Sequence, residues 1–320
     1  MIFLYAYRWL LQNVNVYTTM PVYVALSATQ AASNKDSLDM DGFAERRCLL
    51  HGLDLAIRPG DWVNLVGANG SGKSTLAKVL AGFGQHEATG SIETYALSWF
   101  ADERSNEVLE QSNRGRNMGF APLVTQNPEL AIVGMTAAED AMLLLEQLAI
   151  PDAEIPSRVA DALQRTGLGS LANKPIGQLS GGQKQLAAIA GCIASGADAL
   201  ILDEPTSMLD PEASAAVLQA VRELNRSGTT VVWITQQLEE LREGDRVVAL
   251  ANGYKVFDGA APLFFGRFEG EASSPCERAG LIAPYVVQTV WGLQQEGIEL
   301  IPAMPLSMDA FVKAVASYGS

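Results

Sequence analysis

Apolar residues along this chain fall in short, bounded runs, and their period changes from segment to segment. Residues 49–57 alternate apolar and polar positions, the period-2 pattern of a half-buried strand, and Arg58-Pro59-Gly60-Asp61 ends the run in a turn. Trp62-Val63-Asn64-Leu65-Val66 reads as a buried strand, and a helix starting near Gly72 carries Leu76, Val79 and Leu80 on one face. Residues 118–125 are a further strand candidate. Thr136 with Glu139 three positions on marks a helix start. Ser157 is expected to cap a short amphipathic helix carrying Val159 and Leu163, closed by Gly167. Apolar strands recur at residues 199–202, 231–235 and 247–250. Strands alternating with helices predict an α/β domain with a largely parallel sheet.

The two ends read differently. Residues 1–11 are apolar apart from Arg8, but no positive leader precedes them and no clear small-residue cleavage site follows, so they do not read as a secretion signal. Residues 1–19 are expected to be an N-terminal extension or the product of an upstream start; an interfacial anchor is the alternative. Residues 21–26 are expected to form the first strand, 27–47 a polar loop and 101–117 an exposed insertion. Composition shifts near residues 262–280. A helix from Tyr285 to Gln294, a strand at 298–301 and a helix after Ser307 follow. The resulting division is an extension at 1–19, a main domain at 20–262 and a small C-terminal domain at 263–320. The last is only about 55 residues, marginal for folding alone.

A net charge of −14 argues against nucleic acid as the main ligand, since a phosphate backbone needs a Lys/Arg surface. Hydrophobic residues make up 48% of the chain, ample for a buried core. The three cysteines, Cys48, Cys192 and Cys276, lack metal-type spacing and fit small buried thiols in a reducing compartment. No run reaches the ~18 uninterrupted apolar residues of a spanning helix.

Gly67-Ala68-Asn69-Gly70-Ser71-Gly72-Lys73-Ser74-Thr75 fits G-x-x-x-x-G-K-[ST], and it follows a strand and opens a helix, the context that gives the pattern meaning. Glycines let the backbone wrap phosphates, and the free N–H groups and helix N-terminus stabilise their charge. Lys73 is expected to reach the β- and γ-phosphates and Ser74 to ligate Mg²⁺. A chance glycine-rich turn is the competing reading, and the flanks oppose it. An apolar run ends in Asp203-Glu204: Asp203 fits a holder of the Mg²⁺ shell and Glu204 a base for the attacking water. Alone, the pair would read as solvated acids at a strand end. Ser180, Gly181 and Gly182 open a helix and offer a second N-terminal anion site.

The phosphate loop, the Leu179-Ser180-Gly181-Gly182-Gln183 turn and the Asp-Glu pair, in this order, resemble the ATPase subunit of an ABC transporter. The likeness spans about residues 48–320. It implies an ABC ATPase-type P-loop NTPase, with a RecA-like core and a helical subdomain, joined here to a small C-terminal α/β domain. By that resemblance ATP and Mg²⁺ are the cofactors, Gln126 senses Mg²⁺ or water, and Ser180, Gly181, Gly182 and Gln183 face the ATP held by another subunit. Ser207-Met208-Leu209-Asp210 matches the loop that crosses the interface beside that turn. Three features resemble the ATPases of energy-coupling-factor (ECF) transporters, which take up vitamins and transition-metal ions. These are Gln126-Asn127-Pro128-Glu129 with Ile132-Val133 and Thr136 to Asp140, Lys184-Gln185 continuing to Gly191, and the C-terminal Pro284-Tyr285-Val286-Val287 with Gly297-Ile298. The implied partners are a transmembrane coupling protein, a second ABC ATPase and a separate substrate-capture membrane protein, at the cytoplasmic face of the membrane. The segment after Gln126 would receive the coupling helices, and the C-terminal domain would help hold the ATPase pair.

Four positions depart from the family pattern. Gln236 stands where a histidine is usual, Leu186 where an arginine is usual, and Ala131 where a glutamine is usual. No aromatic lies in register before the phosphate loop to stack on adenine; Phe43 is the nearest candidate, while Tyr23 and Trp62 are expected to pack in strands. A neutral glutamine gives up charge-assisted hydrogen bonding, which is roughly twice as strong as neutral bonding. The chain is therefore expected to have a weakened site of its own while supplying an intact turn to a partner, which favours a heterodimer. A soluble ABC ATPase of DNA repair or translation would carry two ATPase cores or a long coiled coil, and the sequence has neither.

Overall fold

The computed structural model describes residues 8–21, 44–83, 87–94, 121–130, 132–267, 273–298, 300 and 304–318. In chain order these form β1 (Trp9–Pro21), β2 (Ala44–Ile57), β3 (Trp62–Val66), α1 (Lys73–Leu80), β4 (Glu87–Thr94), β5 (Leu123–Val124), α2 (Ala137–Gln147), α3 (Ile155–Arg165) and α4 (Gly181–Ala194). Then come β6 (Ala199–Asp203), α5 (Pro211–Arg226), β7 (Thr230–Ile234), β8 (Arg246–Ala251), β9 (Tyr254–Ala260), α6 (Ala261–Phe265), α7 (Pro275–Arg278), α8 (Tyr285–Gln295) and α9 (Met308–Tyr318). The insertion expected at 101–117, together with Ala131, Phe43 and Tyr23, lies outside the described residues.

The main sheet has six strands in the order β5-β6-β7-β3-β8-β9. Pairing is parallel from β5 to β8, and only β9 runs antiparallel. β3 and β7 are buried at every position, which is why their sequences read as near-continuous apolar runs. Because β6, β7 and β3 are parallel neighbours, their carboxyl ends emerge together at one edge, where open α/β sheets bind ligands. At their amino ends a buried polar cluster closes the core. Arg222 bonds Asp245 twice, at 2.6 and 2.5 Å, and lies 3.6 Å over the Trp62 ring. Asn64 donates to Asp245 at 3.1 Å and accepts from Trp62 Nε1 at 3.0 Å.

A second sheet, in the order β2-β1-β4, is antiparallel. It corrects the expectation that residues 1–19 are an extension: β1 is its central strand. Trp9, Leu11, Val14 and Val16 are buried in the core between this sheet, α1 and the main sheet, and Trp9 Nε1 donates to Leu80 O at 2.9 Å. Arg8 is buried as well, 3.2 Å from Asp198. Of the first strand expected at 21–26, only Pro21 lies within the described residues, as the last residue of β1.

Helices α2, α3 and α4 pack together and against Trp62 and Trp233. Thr136 caps α2 by accepting from the Glu139 N–H, as expected, while the Glu139 carboxylate reaches back to the Met135 N–H. The cap expected of Ser157 is corrected. α3 starts earlier, with Glu154 at the cap position and Pro156 in the first turn, where its fixed φ suits the helix. Gly167, at φ 74°, follows its end.

The C-terminal segment shares its core with the main sheet. Phe264, Cys276, Val287, Val290 and Met304 pack with Val66, Val247 and Ala249. Its described residues are helical or irregular. Ile298 and Leu300 lack the strand expected at 298–301, and residues 299 and 301 lie outside the description.

Candidate nucleotide site

β3 runs directly into Gly67, and Lys73 opens α1. The loop is built so tightly that glycine is required. At Gly67 (φ 149°) a Cβ would fall 2.3 Å from Leu250 O, and at Gly72 (φ 106°) 2.6 Å from Leu50 Cδ2. Asn69, Gly70 and Ser74 are exposed, and Ala68 and Thr75 are half-buried. Lys73 is buried, and its ammonium donates to Gly67 O at 2.7 Å and Ala68 O at 3.1 Å. Burial pulls the Lys73 pKa below the ordinary lysine value, opposed by Glu204 and Asp203. The Ser74 hydroxyl bonds the Asp203 carboxylate. Burial raises the Asp203 pKa; the Ser74 bond pulls the other way, Glu204 adds to the rise, and Lys73 and Lys78 oppose it.

Glu204 follows β6 with φ 49°, a left-handed conformation that costs a non-glycine residue about 1–2 kcal/mol. Its N–H bonds Ile234 O at 2.9 Å, tying it to the end of β7. Gln236, just beyond β7, donates through Nε2 to Glu204 Oε1 at 2.5 Å and to Asn69 Oδ1 at 2.8 Å. The loop after Glu204 is held by a group with no sequence signal: Glu240 accepts from Thr206 Oγ1 at 2.5 Å and Trp233 Nε1 at 2.8 Å. Gln126 is exposed just past β5 and makes no hydrogen bond to Asp203 or Glu204 among the described residues.

Two distant segments brace the phosphate loop. Gly253 N–H, in the β8–β9 turn, donates to Ser71 O at 3.0 Å, and Ala68 N–H donates to Ala279 O at 3.3 Å. No motif announces either contact.

Ser180 caps α4 in a reciprocal box with Gln183. Gly181 is exposed and Gly182 is buried, and both lie close to the segment from Leu209 to Ala213. A Cβ at Gly181 would lie 3.0 Å from Leu209 Cδ2, and one at Gly182 would lie 2.9 Å from Ala213 Cβ. Asp210 caps α5 through the Ala213 N–H. Leu186 lines an open concavity of about 280 Å³ with Ser180, Gly182, Gln183 and Asp210. Met208 projects into solvent beside this turn.

A parallel sheet whose central strand delivers a glycine-rich loop to a lysine-bearing helix, with acids at the end of a nearby parallel strand, defines a P-loop nucleoside triphosphatase. The family model described as ABC transporter matches residues 50–207. The energy-coupling factor transporter ATP-binding protein EcfA1 of Symbiobacterium thermophilum is 36% identical over 298 residues, 93% of this chain and 97% of that protein. The EcfA1 of Bacillus subtilis is 36% identical over 258 residues, 80% of this chain and 86% of that protein. The chain therefore belongs to the ABC transporter ATPases, among the ECF transporter ATP-binding proteins. Among solved structures, cbiO1 from Clostridium perfringens matches at TM-score 0.60 and 24% identity, over 80% of this chain and 90% of that one. A dimeric ABC transporter cassette, MJ0796, matches at TM-score 0.55 and 24% identity, over 79% and 98%. These two likenesses carry the fold alone. No helix among the described residues is long and apolar enough to cross a membrane.

Proposed function

We propose that this chain is one of two ATPases that power import of a vitamin or transition-metal ion through an ECF-type transporter. The pair docks at the cytoplasmic face of the membrane beneath a transmembrane coupling protein, and a separate membrane protein captures the cargo. The observation that carries this reading is the convergence at one sheet edge of Lys73, Asp203, Glu204 and Gln236, from the ends of three parallel strands. The relative cbiO1 is described as part of an ABC transporter complex. Exposed Val133 and Met135, just after Gln126, suit the coupling helices, and exposed Tyr285, Met308 and Val312 suit contact between the ATPases.

In this reading the nucleotide's phosphates lie on the loop N–H groups at the start of α1, where the helix dipole favours negative charge. Lys73 leaves the carbonyls of Gly67 and Ala68 for the β- and γ-phosphates. The Ser74 hydroxyl and Asp203 carboxylate, already bonded to each other, are hard oxygen donors that fit Mg²⁺, with Gln126 as a third oxygen. Bound Mg²⁺ neutralises charge on the transferring phosphate. Glu204 orients the attacking water and takes its proton. Ser180, Gly181, Gly182 and Gln183 serve the nucleotide held by the other ATPase.

A second reading is that this subunit binds ATP, completes its partner's site and hydrolyses little itself. The bonds from Gln236 to Glu204 and Asn69 favour it. The separating experiment is ATP turnover by the assembled complex carrying Glu204→Gln. A fall on the order of 10²-fold or more supports hydrolysis at this site. Turnover equal to the parent moves the work to the partner's site.

A further inference from the structure

We propose that Glu240 is a positioning residue for Glu204: its carboxylate pins the turn whose first residue is the candidate base. The inference rests on the reading of Glu204 as the group that takes a proton from the attacking water. Glu204 has φ 49°, a left-handed backbone that a non-glycine residue keeps only where its surroundings over-determine it. On its amino side the constraint is visible, since the Glu204 N–H bonds Ile234 O at 2.9 Å. On its carboxyl side the chain turns sharply. Ser207 closes the turn by donating its N–H to Glu204 O at 3.2 Å and its hydroxyl to the same oxygen at 2.9 Å.

Glu240 holds the middle of that turn. Its Oε1 accepts from Thr206 Oγ1 at 2.5 Å, and its Oε2 accepts from Trp233 Nε1 at 2.8 Å. Thr206 is 1% exposed and Trp233 fully buried, so both bonds lie where water does not compete for them. Pro205, whose ring fixes φ, is all that separates Thr206 from Glu204, so a shift at Thr206 passes to the base. Glu240 is itself anchored. It ends the single turn Leu238–Glu240, and Leu238 and Leu241 are buried in the core with Val66 and Phe264. The backbone of Glu204 is thus held on both sides from the segment that begins with β7, and Gln236 of the same segment holds its carboxylate.

Satisfying the buried indole of Trp233 would take one acceptor. The second carboxylate oxygen is spent on the turn. An indole N–H only donates, whereas a hydroxyl donates or accepts. A glutamine at position 240 can therefore turn its oxygen to Trp233 and its NH₂ to the Thr206 oxygen, keeping both contacts. Alanine loses both. Thr206→Val keeps the shape of the turn and removes only the hydroxyl.

The test combines three readouts on Glu240→Ala, Glu240→Gln and Thr206→Val: ATP binding by the full chain, its amide hydrogen exchange over residues 204–210, and ATP turnover by the assembled complex. Glu240→Ala and Thr206→Val are expected to bind ATP like the parent, to exchange faster over 204–210 and to lower turnover about tenfold or more, because small misplacement of a reacting group is costly. Glu240→Gln is expected to stay close to the parent in all three. In a Glu204→Gln background, Glu240→Ala is expected to take nothing further from turnover, since residues that act as a unit are not additive. Parental exchange or parental turnover in Glu240→Ala overturns the proposal. So does an ATP-binding loss as large as the turnover loss, or a full further loss in the Glu204→Gln background. Parental turnover in Glu204→Gln alone defeats the hydrolysis reading, and the positioning role falls with it; a loss there beside parental turnover in Glu240→Ala defeats the positioning role only.

Discussion

The Gln236 amide nitrogen lies 2.5 Å from Glu204 Oε1 and 2.8 Å from Asn69 Oδ1. A primary amide has two N–H donors, and both are spent. In this arrangement Gln236 holds the candidate base and has no N–H left for a γ-phosphate. A histidine at this position would bring a charge-assisted donor instead. Gln236→His is expected to raise ATP turnover of the assembled complex, by up to the order of 10²–10³ if the contact forms in the transition state. Steady-state phosphate release measures it, and no change would remove Gln236 as the cause of a weak site.

The turn at Ser180 predicts an effect across subunits. Ser180→Ala removes the acceptor for the Gln183 N–H and frays the start of α4, a cap worth about 1 kcal/mol. ATP binding by the isolated chain should be unchanged, while turnover of the complex drops about tenfold or more. Weaker ATP binding by the isolated chain would place the turn on this chain's own nucleotide.

The buried cluster at the amino ends of the strands sets stability. Arg222 and Asp245 are both nearly inaccessible and doubly bonded, so Arg222→Ala leaves a carboxylate buried without its cation. The expected loss is about 3–5 kcal/mol in denaturant unfolding. Replacing both partners by apolar residues of similar volume should cost less than the single change.

Glu277 gives the C-terminal segment an acid dependence. Hydrogen bonds from Arg267 lead in holding its pKa down to about 2, from an ordinary 4.5, with the Ser274 bonds adding. The folded-state value is the lower one, so the contribution is full above about 4.5 and is lost as pH falls toward about 2. The ion pair is about a third exposed, so solvent screening reduces the effect to about 1 kcal/mol. Glu277→Gln should flatten the stability–pH curve over that window in thermal melts, leaving the neutral-pH slope alone.

The motifs were legible because phosphate chemistry fixes residue types at fixed spacing. Gly67 and Gly72 are required by backbone approach, and Asp203 by its place at the end of a buried strand. The central strands were legible because burial on both faces leaves apolar runs. β1 was not. Its inward residues Trp9, Leu11, Val14 and Val16 skip a step where the register shifts near Asn13, which has φ 50° and donates its N–H to Asp54. A bulge breaks the period-2 pattern and hides a strand. β4 is exposed over its first five residues, and only Ile92 packs against the core, too little for an alternating pattern to show. The partners of Gln236 were beyond reach for another reason: they lie 167 and 32 residues away, and only the parallel order of β6, β7 and β3 brings them together.

The central claim is an asymmetric transporter ATPase, and the most direct measurement is what co-purifies with this chain. The chain would be tagged, membranes solubilised in mild detergent and the recovered proteins identified. The predicted result is a multi-spanning coupling protein, a second ATPase with histidine at the position of Gln236, and a small membrane protein that identifies the cargo. Recovery of this chain alone, or as a homodimer with no membrane protein, would contradict it.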